Sequence, residues 1–203
     1  MGKAVSSPKR LELLELLCQC EMNVEQLAQS AEISVKLASA HLNVLKTANL
    51  VASRREGKNI YYRLATEDVA GFWVSIRTLA EERLLDLQAA LAGMVSGSGE
   101  LARLDREALM REAERGDIVV IDVRPENEYA AAHLPYARSI PLTELKKRIA
   151  EIPFDKTVIA YCRGPFCLFA SEAVKILKNE GIDAHRLDDG VAEWLAHGLN
   201  IEH

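Results

Sequence analysis

Apolar positions in the first half of the chain recur at helical spacing, interrupted by two short turns. Ser7 followed by Pro8 predicts a helix start, and Leu11, Leu14 and Cys18 then share one face. Asn23 with Gln26 three residues on is a capping-box pattern and opens a second helix. "AEIS" predicts a tight turn, after which Ser34 caps a third helix running to about Ala48. Asn49 suits the left-handed position that ends a helix. The period then changes. "LVASRREGKNIYYRLA" alternates around Glu56-Gly57-Lys58-Asn59, which predicts a hairpin. A long amphipathic helix is expected over residues 67–92.

"GMVSGSGE" follows, a Gly/Ser-rich break that reads as a flexible linker over residues 94–99. It separates an N-terminal domain, 1–93, from a C-terminal domain, 100–203. Beyond it, helical segments alternate with short apolar runs. "DREALMREAERG" predicts a helix and "DIVVIDV" a buried strand. "ELKKRIAEI" predicts a helix, "TVIAY" a strand, "LFASEAVKILKNE" a helix and "DAHRLDD" a strand end. A last helix holds Glu193 and Trp194. Such alternation predicts a central parallel sheet covered by helices.

Charge sharpens this division. The net charge of −5 lies in residues 98–203, which carry 14 Lys/Arg against 19 Asp/Glu; residues 1–97 balance at 11 each. Within that balanced half, Ile33–Leu64 holds six cations against Glu56 alone. A local basic patch on an acidic protein is compatible with nucleic acid. No apolar run approaches a membrane span, and the N-terminus has no secretory pattern. The four cysteines read as thiols in a reducing compartment, so a cytoplasmic protein is expected.

Two helices joined by a tight turn, then a basic hairpin, predict a winged helix-turn-helix. On the third helix Val35, Ala38, Leu42 and Leu45 form one face, expected to pack inward. Lys36, Ser39, Ala40, Asn43 and Thr47 lie opposite, a small polar face suited to a major groove. Arg54, Arg55 and Lys58 on the wing are placed for phosphates or the minor groove. A solvated helix face would explain any one of these features; their combination points to double-stranded DNA, with Lys36, Ser39 and Asn43 reading bases. Cys18 and Cys20 project about 200° apart on a helix and cannot pair there; Cys18 reads as a small core hydrophobe, with a thiol sensor as the alternative for the two.

The blocks "SPKRLELLELL", "VEQLAQSAEISVKLASAHLNVLKTANLV" and "SRREGKNIYYRL" resemble, in order and spacing, the ArsR/SmtB family of bacterial repressors. The resemblance implies a homodimer formed through the helix near 67–92 and repression relieved by a metal or a thiol-reactive signal. It also makes "MGKAV" the tail of an additional first helix. Where family members place arsenic-binding cysteines, this chain has Asn23 and Glu25, and the final helix of this half has no histidine. Metal sensing at the usual sites is therefore not expected.

The second half contains "YCRGPFC", residues 161–167, between a predicted strand and a predicted helix. Backbone N–H groups of a tight loop and a helix N-terminus favour an anion at one spot. Together with Arg163, they are expected to lower the pKa of Cys162, and Gly164 lets the loop curl toward the sulfur. A phosphatase loop would need Arg where Leu168 stands. A dithiol redox pair would be spaced C-x-x-C, and a zinc clip would need two more ligands at paired spacing. A buried structural cysteine suits Cys167 better than Cys162.

"IDVRPENEYAAAHLPYARSIPL", "VIAYCRGPFC" and "LDDGVAEWLAHGL" resemble the rhodanese-like domains. The resemblance implies that Cys162 accepts a sulfane sulfur and carries it as a persulfide, in a cradle formed by Arg163, Gly164, Pro165, Phe166 and Cys167. It makes Asp122 and Arg124 supporting residues that order the site, and His133 structural. Tyr136 stands where the family commonly has a turn glycine, which predicts an altered turn. Cys167 is a candidate for resolving a Cys162 persulfide.

The expectation is thus a mainly α winged helix-turn-helix followed by an α/β rhodanese-like domain. Its partners would be an operator, a second copy of the chain and a small sulfur donor such as thiosulfate or a persulfide. No membrane, metal or cofactor is expected. Two alternatives stand beside it: a sulfurtransferase whose winged helix mainly dimerises, and a regulator whose rhodanese-like domain is a silent docking module.

Overall fold

The computed structural model describes residues 1–84, 86, 89 and 106–203. They fall into two compact units, Met1–Arg77 and Thr78–His203. The expected linker lies outside the described residues, as does most of the expected long helix beyond Leu84.

The first unit begins with a short helix α1 (Gly2–Val5) and then α2 (Pro8–Leu17), with Pro8 in its first turn. Strand β1 (Met22–Asn23) leads into α3 (Val24–Ser30). The Asn23 side chain accepts the Gln26 amide at 2.9 Å and the Gln26 side chain accepts the Asn23 N–H at 2.9 Å, completing the capping box. Glu32 takes a left-handed φ of 52° in the turn, and Ser34 caps α4 (Val35–Thr47) with a 3.2 Å bond from Leu37 N–H. Asn49, at φ 56°, ends it as expected.

The wing pairs β2 (Val51–Glu56) with β3 (Asn59–Leu64), closing on Glu56 opposite Asn59. Gly57 takes φ 60° at the first central turn position, where a II′ hairpin turn needs a residue without Cβ. β1 adds to the other edge of β3, giving the antiparallel order β1-β3-β2. Helix α5 (Glu67–Arg83) follows. Glu15 on α2 ties it down: it accepts a hydrogen bond from the Trp73 indole and pairs with the buried Arg77 at 3.1 Å.

The core of this unit unites Leu13, Leu14, Leu17, Leu27, Leu42, Leu45 and Val51. Two expectations are corrected here. Val35 is 45% exposed, because it is the first residue of α4 and precedes the turn that packs; Ala38, Leu42 and Leu45 do face inward. On α2 the buried set is Leu13, Leu14, Leu16 and Leu17, wider than a single stripe, and Leu11 is only half-buried.

The second unit takes in the end of α5 and continues with α6 (Arg106–Arg115) and β4 (Ile118–Asp122). There follow α7 (Glu126–Ala131), β5 (Arg138–Ser139), α8 (Leu142–Arg148) and β6 (Thr157–Tyr161). The chain ends through α9 (Phe169–Asn179), β7 (Ala184–Arg186) and α10 (Val191–Ala196). The strands form one parallel sheet in the order β5-β4-β6-β7. Apolar clusters cover it on both faces. Val119, Ile121, Val158 and Ala160 pack with α9 on one side; Ile118, Val120, Ile159 and Tyr161 pack with Leu109 and Trp194 on the other. Strands buried on both faces need continuous apolar runs, and "IVVI" and "TVIAY" supply them.

Tyr136 adopts a left-handed φ of 63°, a conformation that favours glycine, so the turn accommodates a Cβ there. Ala137, beside it, is buried and its carbonyl accepts the Tyr129 hydroxyl at 2.9 Å, which holds the turn in place. Among the described residues no helix is long and apolar enough to cross a membrane.

Candidate active site and nucleic-acid interface

Cys162 is the first residue after β6, at the carboxyl end of a central parallel strand, where ligands gather in open α/β sheets. The strand end is fixed from beneath. The preceding residue, Tyr161, is fully buried and donates its hydroxyl to Asp122 at 2.6 Å while accepting the Leu134 N–H at 3.1 Å. Asp122 in turn receives the Arg124 guanidinium at 2.6 and 3.0 Å, and Arg124 also reaches the Ala132 carbonyl at 2.7 Å. Both charges are wholly buried, and satisfied pairs of this kind hold geometry more than they add stability. The Asp122–Arg124 pair therefore reaches Cys162 through Tyr161 and the two strands, as a support beneath the loop.

The loop 163–167 curls over the strand end. Gly164 takes φ 133°, which only glycine adopts without strain. Arg186 on β7 braces the loop from the side, donating to the Pro165 carbonyl and to Ser171 at 2.7 Å. Its third partner is Asp188, at 3.0 Å. Gly190 closes the other flank: a Cβ there would stand 2.7 Å from the Cys162 carbonyl oxygen and 2.9 Å from the Arg163 carbonyl carbon. Glu193 accepts the Gly190 N–H at 2.6 Å and so fixes that approach.

The electrostatics differ from expectation. Arg163 is turned to Glu128, a buried carboxylate on α7, with both its Nε and a terminal nitrogen. Cys162 is 1% exposed, and its sulfur lies 3.3 Å from the Cys167 carbonyl and 3.9 Å from that of Gly164. Burial, and then the thiol's hydrogen bond to Cys167, push the Cys162 pKa well up rather than down. Cys167 is the group that moves the other way. Hydrogen bonding from the Cys162 thiol lowers it to about 6, helped by the backbone N–H groups of Arg163 and Phe169. The two thiols are thus shifted in opposite directions, Cys162 up and Cys167 down.

Cys18, at the end of α2, has its thiol pKa raised chiefly by burial, in keeping with a core role, and Cys20 packs against the same core. None of the four cysteines is in a disulfide. Among the described residues no three His, Cys, Asp or Glu side chains gather as a metal site.

In the first unit, Lys36 and Asn43 are exposed on α4 and Ser39 is partly so. Val35 and Leu37, 45% and 44% exposed, add apolar surface beside them, of the kind that meets a thymine methyl. Arg55 and Lys58 are exposed on the wing. Arg54 is engaged: Glu21 receives it through Nε at 2.9 Å and a terminal nitrogen at 2.6 Å, Glu56 takes the other nitrogen, and its guanidinium lies 4.7 Å from the Tyr61 ring centre.

Comparison with known proteins agrees with both units. Residues 7–53 match the bacterial regulatory protein, arsR family, and residues 105–197 match the rhodanese-like domain. The HTH-type transcriptional regulator Rv0324 of Mycobacterium tuberculosis is 43% identical over 202 residues, spanning 100% of this chain and 88% of that protein. The chain belongs to the ArsR family of transcriptional regulators, joined to a rhodanese-like domain. A sulfurtransferase of Allochromatium vinosum is 32% identical over 100 residues, 48% of this chain and 92% of that protein. Among solved structures, the winged helix-turn-helix domain of Mb0332 from Mycobacterium bovis, described as homodimeric, is 43% identical with a TM-score of 0.40. It covers 41% of this chain and 77% of that one.

In this ArsR-family regulator the winged helix is the DNA-binding part. The rhodanese-like part brings Cys162, Arg163, Gly164, Pro165, Phe166 and Cys167 into one loop, with Asp122 and Arg124 beneath it. Sequence reading missed Glu128, Arg186, Ser171 and Gly190. Only Gly190 had a visible signal, a glycine after Asp188-Asp189 at the start of a helix.

Proposed function

We propose that this regulator takes up sulfane sulfur on the loop 162–167, carries it on Cys162, and changes its affinity for an operator when loaded. The observation that carries the reading is the loop itself: two cysteines at the end of a central parallel strand, the Cys162 sulfur 3.3 Å from the Cys167 carbonyl, enclosed by a backbone that glycines at 164 and 190 allow to close. A thiolate in such a loop can attack the sulfane sulfur of a persulfide or thiosulfate. The likeness to a protein named a sulfurtransferase supports the same chemistry.

At the other end, Lys36, Ser39 and Asn43 read bases while Arg54, Arg55 and Lys58 hold phosphates. Their exposure on α4 and the wing supports this, except that Arg54 must first leave Glu21. The protein acts as a repressor dimer in a reducing compartment, paired through α5. Leu79, 55% exposed there, supports that pairing.

The test has two parts. Peptide mass spectrometry after thiosulfate, and separately after glutathione persulfide, should show one added sulfur on the loop. Mobility shift on the protein's own promoter should then show different affinities for loaded and unloaded protein. Sulfur uptake with unchanged DNA affinity would reduce the protein to a sulfurtransferase tethered to a DNA-binding domain. Absence of uptake from either donor would leave the second domain without this chemistry.

A further inference from the structure

Resting on the sulfur-uptake reading, we infer that Cys167 is the entry thiol of the loop: it takes the sulfane sulfur from the donor and hands it to the buried Cys162. Three observations carry this. The first is access. Cys162 is 1% exposed, whereas Cys167 is only half-buried and stands between Phe166 and Leu168, which are 38% and 51% exposed. A donor arriving from solvent meets Cys167 first.

The second is the character of the surroundings. The buried Cys162 sulfur faces two backbone carbonyl oxygens, at 3.3 and 3.9 Å, which suit a thiol proton; the Ala170 N–H and the Arg186 charge act the other way but do not outweigh burial. The Cys167 sulfur instead receives the N–H groups of Arg163 and Phe169, and the latter opens the helix α9. Helix N-termini favour negative charge, so the nucleophilic form is held on the exposed side of the pair. The ordinary cysteine pKa of 9.0 falls to about 6 at this residue, in agreement with the geometry.

The third is proximity. The Cys162 sulfur lies 3.3 Å from the Cys167 carbonyl, so the receiving residue sits directly against the donating one, and its thiol carries the proton that the second step needs.

Both steps balance without an external oxidant. In the first, the Cys167 thiolate attacks the outer sulfur of R–S–SH. A new S–S bond forms as the donor's S–S bond breaks, giving Cys167–S–S⁻ and RSH. With thiosulfate the leaving group is sulfite. In the second, the Cys162 sulfur attacks the outer sulfur on Cys167. Its proton passes to the departing Cys167 sulfur, leaving Cys162–S–S⁻ and a regenerated Cys167 thiol.

The sequence makes this readable, because trypsin cuts after Arg163 and places the cysteines in separate peptides, TVIAYCR and GPFCLFASEAVK. Full-length wild type, Cys162→Ser and Cys167→Ser would be exposed briefly to glutathione persulfide and, separately, thiosulfate. Cys162→Ser should accumulate sulfur on the second peptide. Cys167→Ser should load the first peptide at least about tenfold more slowly than wild type. Loading of Cys162 at the wild-type rate in Cys167→Ser would overturn the inference and leave the sulfur-carrier reading intact. No sulfur on either wild-type peptide would overturn both.

A second measurement uses wild type alone and does not depend on either variant folding. Iodoacetamide labelling between pH 5 and 9 should modify the second peptide first, with an apparent pKa of about 6. Faster labelling of the first peptide across that range would count against Cys167 as the entry thiol even if sulfur uptake were seen.

Discussion

Gly190 and Cys162 are in backbone contact: a Cβ on Gly190 would stand 2.7 Å from the Cys162 carbonyl oxygen. The obstacle is backbone at the end of a buried strand, so it cannot swing aside as a side-chain tip would. Gly190→Ala should therefore push the loop off its position. Overpacking of this kind costs about 1–3 kcal/mol. Urea unfolding followed by Trp194 fluorescence should show the loss, and sulfur loading should fall with it. An Ala variant with wild-type midpoint and loading would show that the loop has slack.

Asp122→Ala should be more damaging than removal of the whole pair. The single change leaves the Arg124 guanidinium charged and wholly buried, and takes away the acceptor of the Tyr161 hydroxyl. Breaking one side of a buried pair costs about 3–5 kcal/mol, whereas an apolar replacement of both is often close to neutral. Thermal unfolding of Asp122→Ala beside Asp122→Leu/Arg124→Leu compares the two directly. A double variant as unstable as the single would argue that the pair itself stabilises the domain.

Arg54 and its neighbours on the wing should not contribute equally to DNA binding. Glu21 and Glu56 already neutralise Arg54, while Lys58 is exposed. Lys58→Ala should reduce the salt dependence of binding by about one phosphate contact, and Arg54→Ala by less. Glu21→Gln should tighten binding by releasing Arg54. Equal slopes for the two alanine variants would mean that Arg54 leaves Glu21 freely on the DNA.

Asn23→Ala removes the side-chain half of the α3 capping box. Loss of such a cap costs about 1 kcal/mol, and α3 positions the turn before α4. Denaturation of the N-terminal unit should show the shift, and Asn23→Ser should restore most of it.

These residues also show where sequence reading succeeded. The capping box at Asn23, the Ser34 cap, the left-handed Asn49 and the hairpin at Gly57 were all legible, because each depends on residues within four positions of one another. The parallel sheet was legible because strands buried on both faces must be continuously apolar. Three short elements were not: β1, α7 and β5 have two to six residues, and pairing or burial supplies what local pattern does not.

What the sequence determined by itself was the order of elements, the division into a charge-balanced half with a basic helix-and-wing patch and an acidic α/β half, and the presence of two cysteines on one strand-to-helix loop. What only the tertiary structure decided was the burial and the partners of that loop. Arg163 looked like a neighbour for Cys162, yet Glu128, 35 residues earlier, takes it. Arg186, 21 residues beyond Pro165, braces the loop instead. A pKa depends on burial and on the groups within a few ångströms, and neither is encoded in spacing along the chain. That is why burial pushes Cys162, the expected thiolate, up, while Cys167 is shifted down.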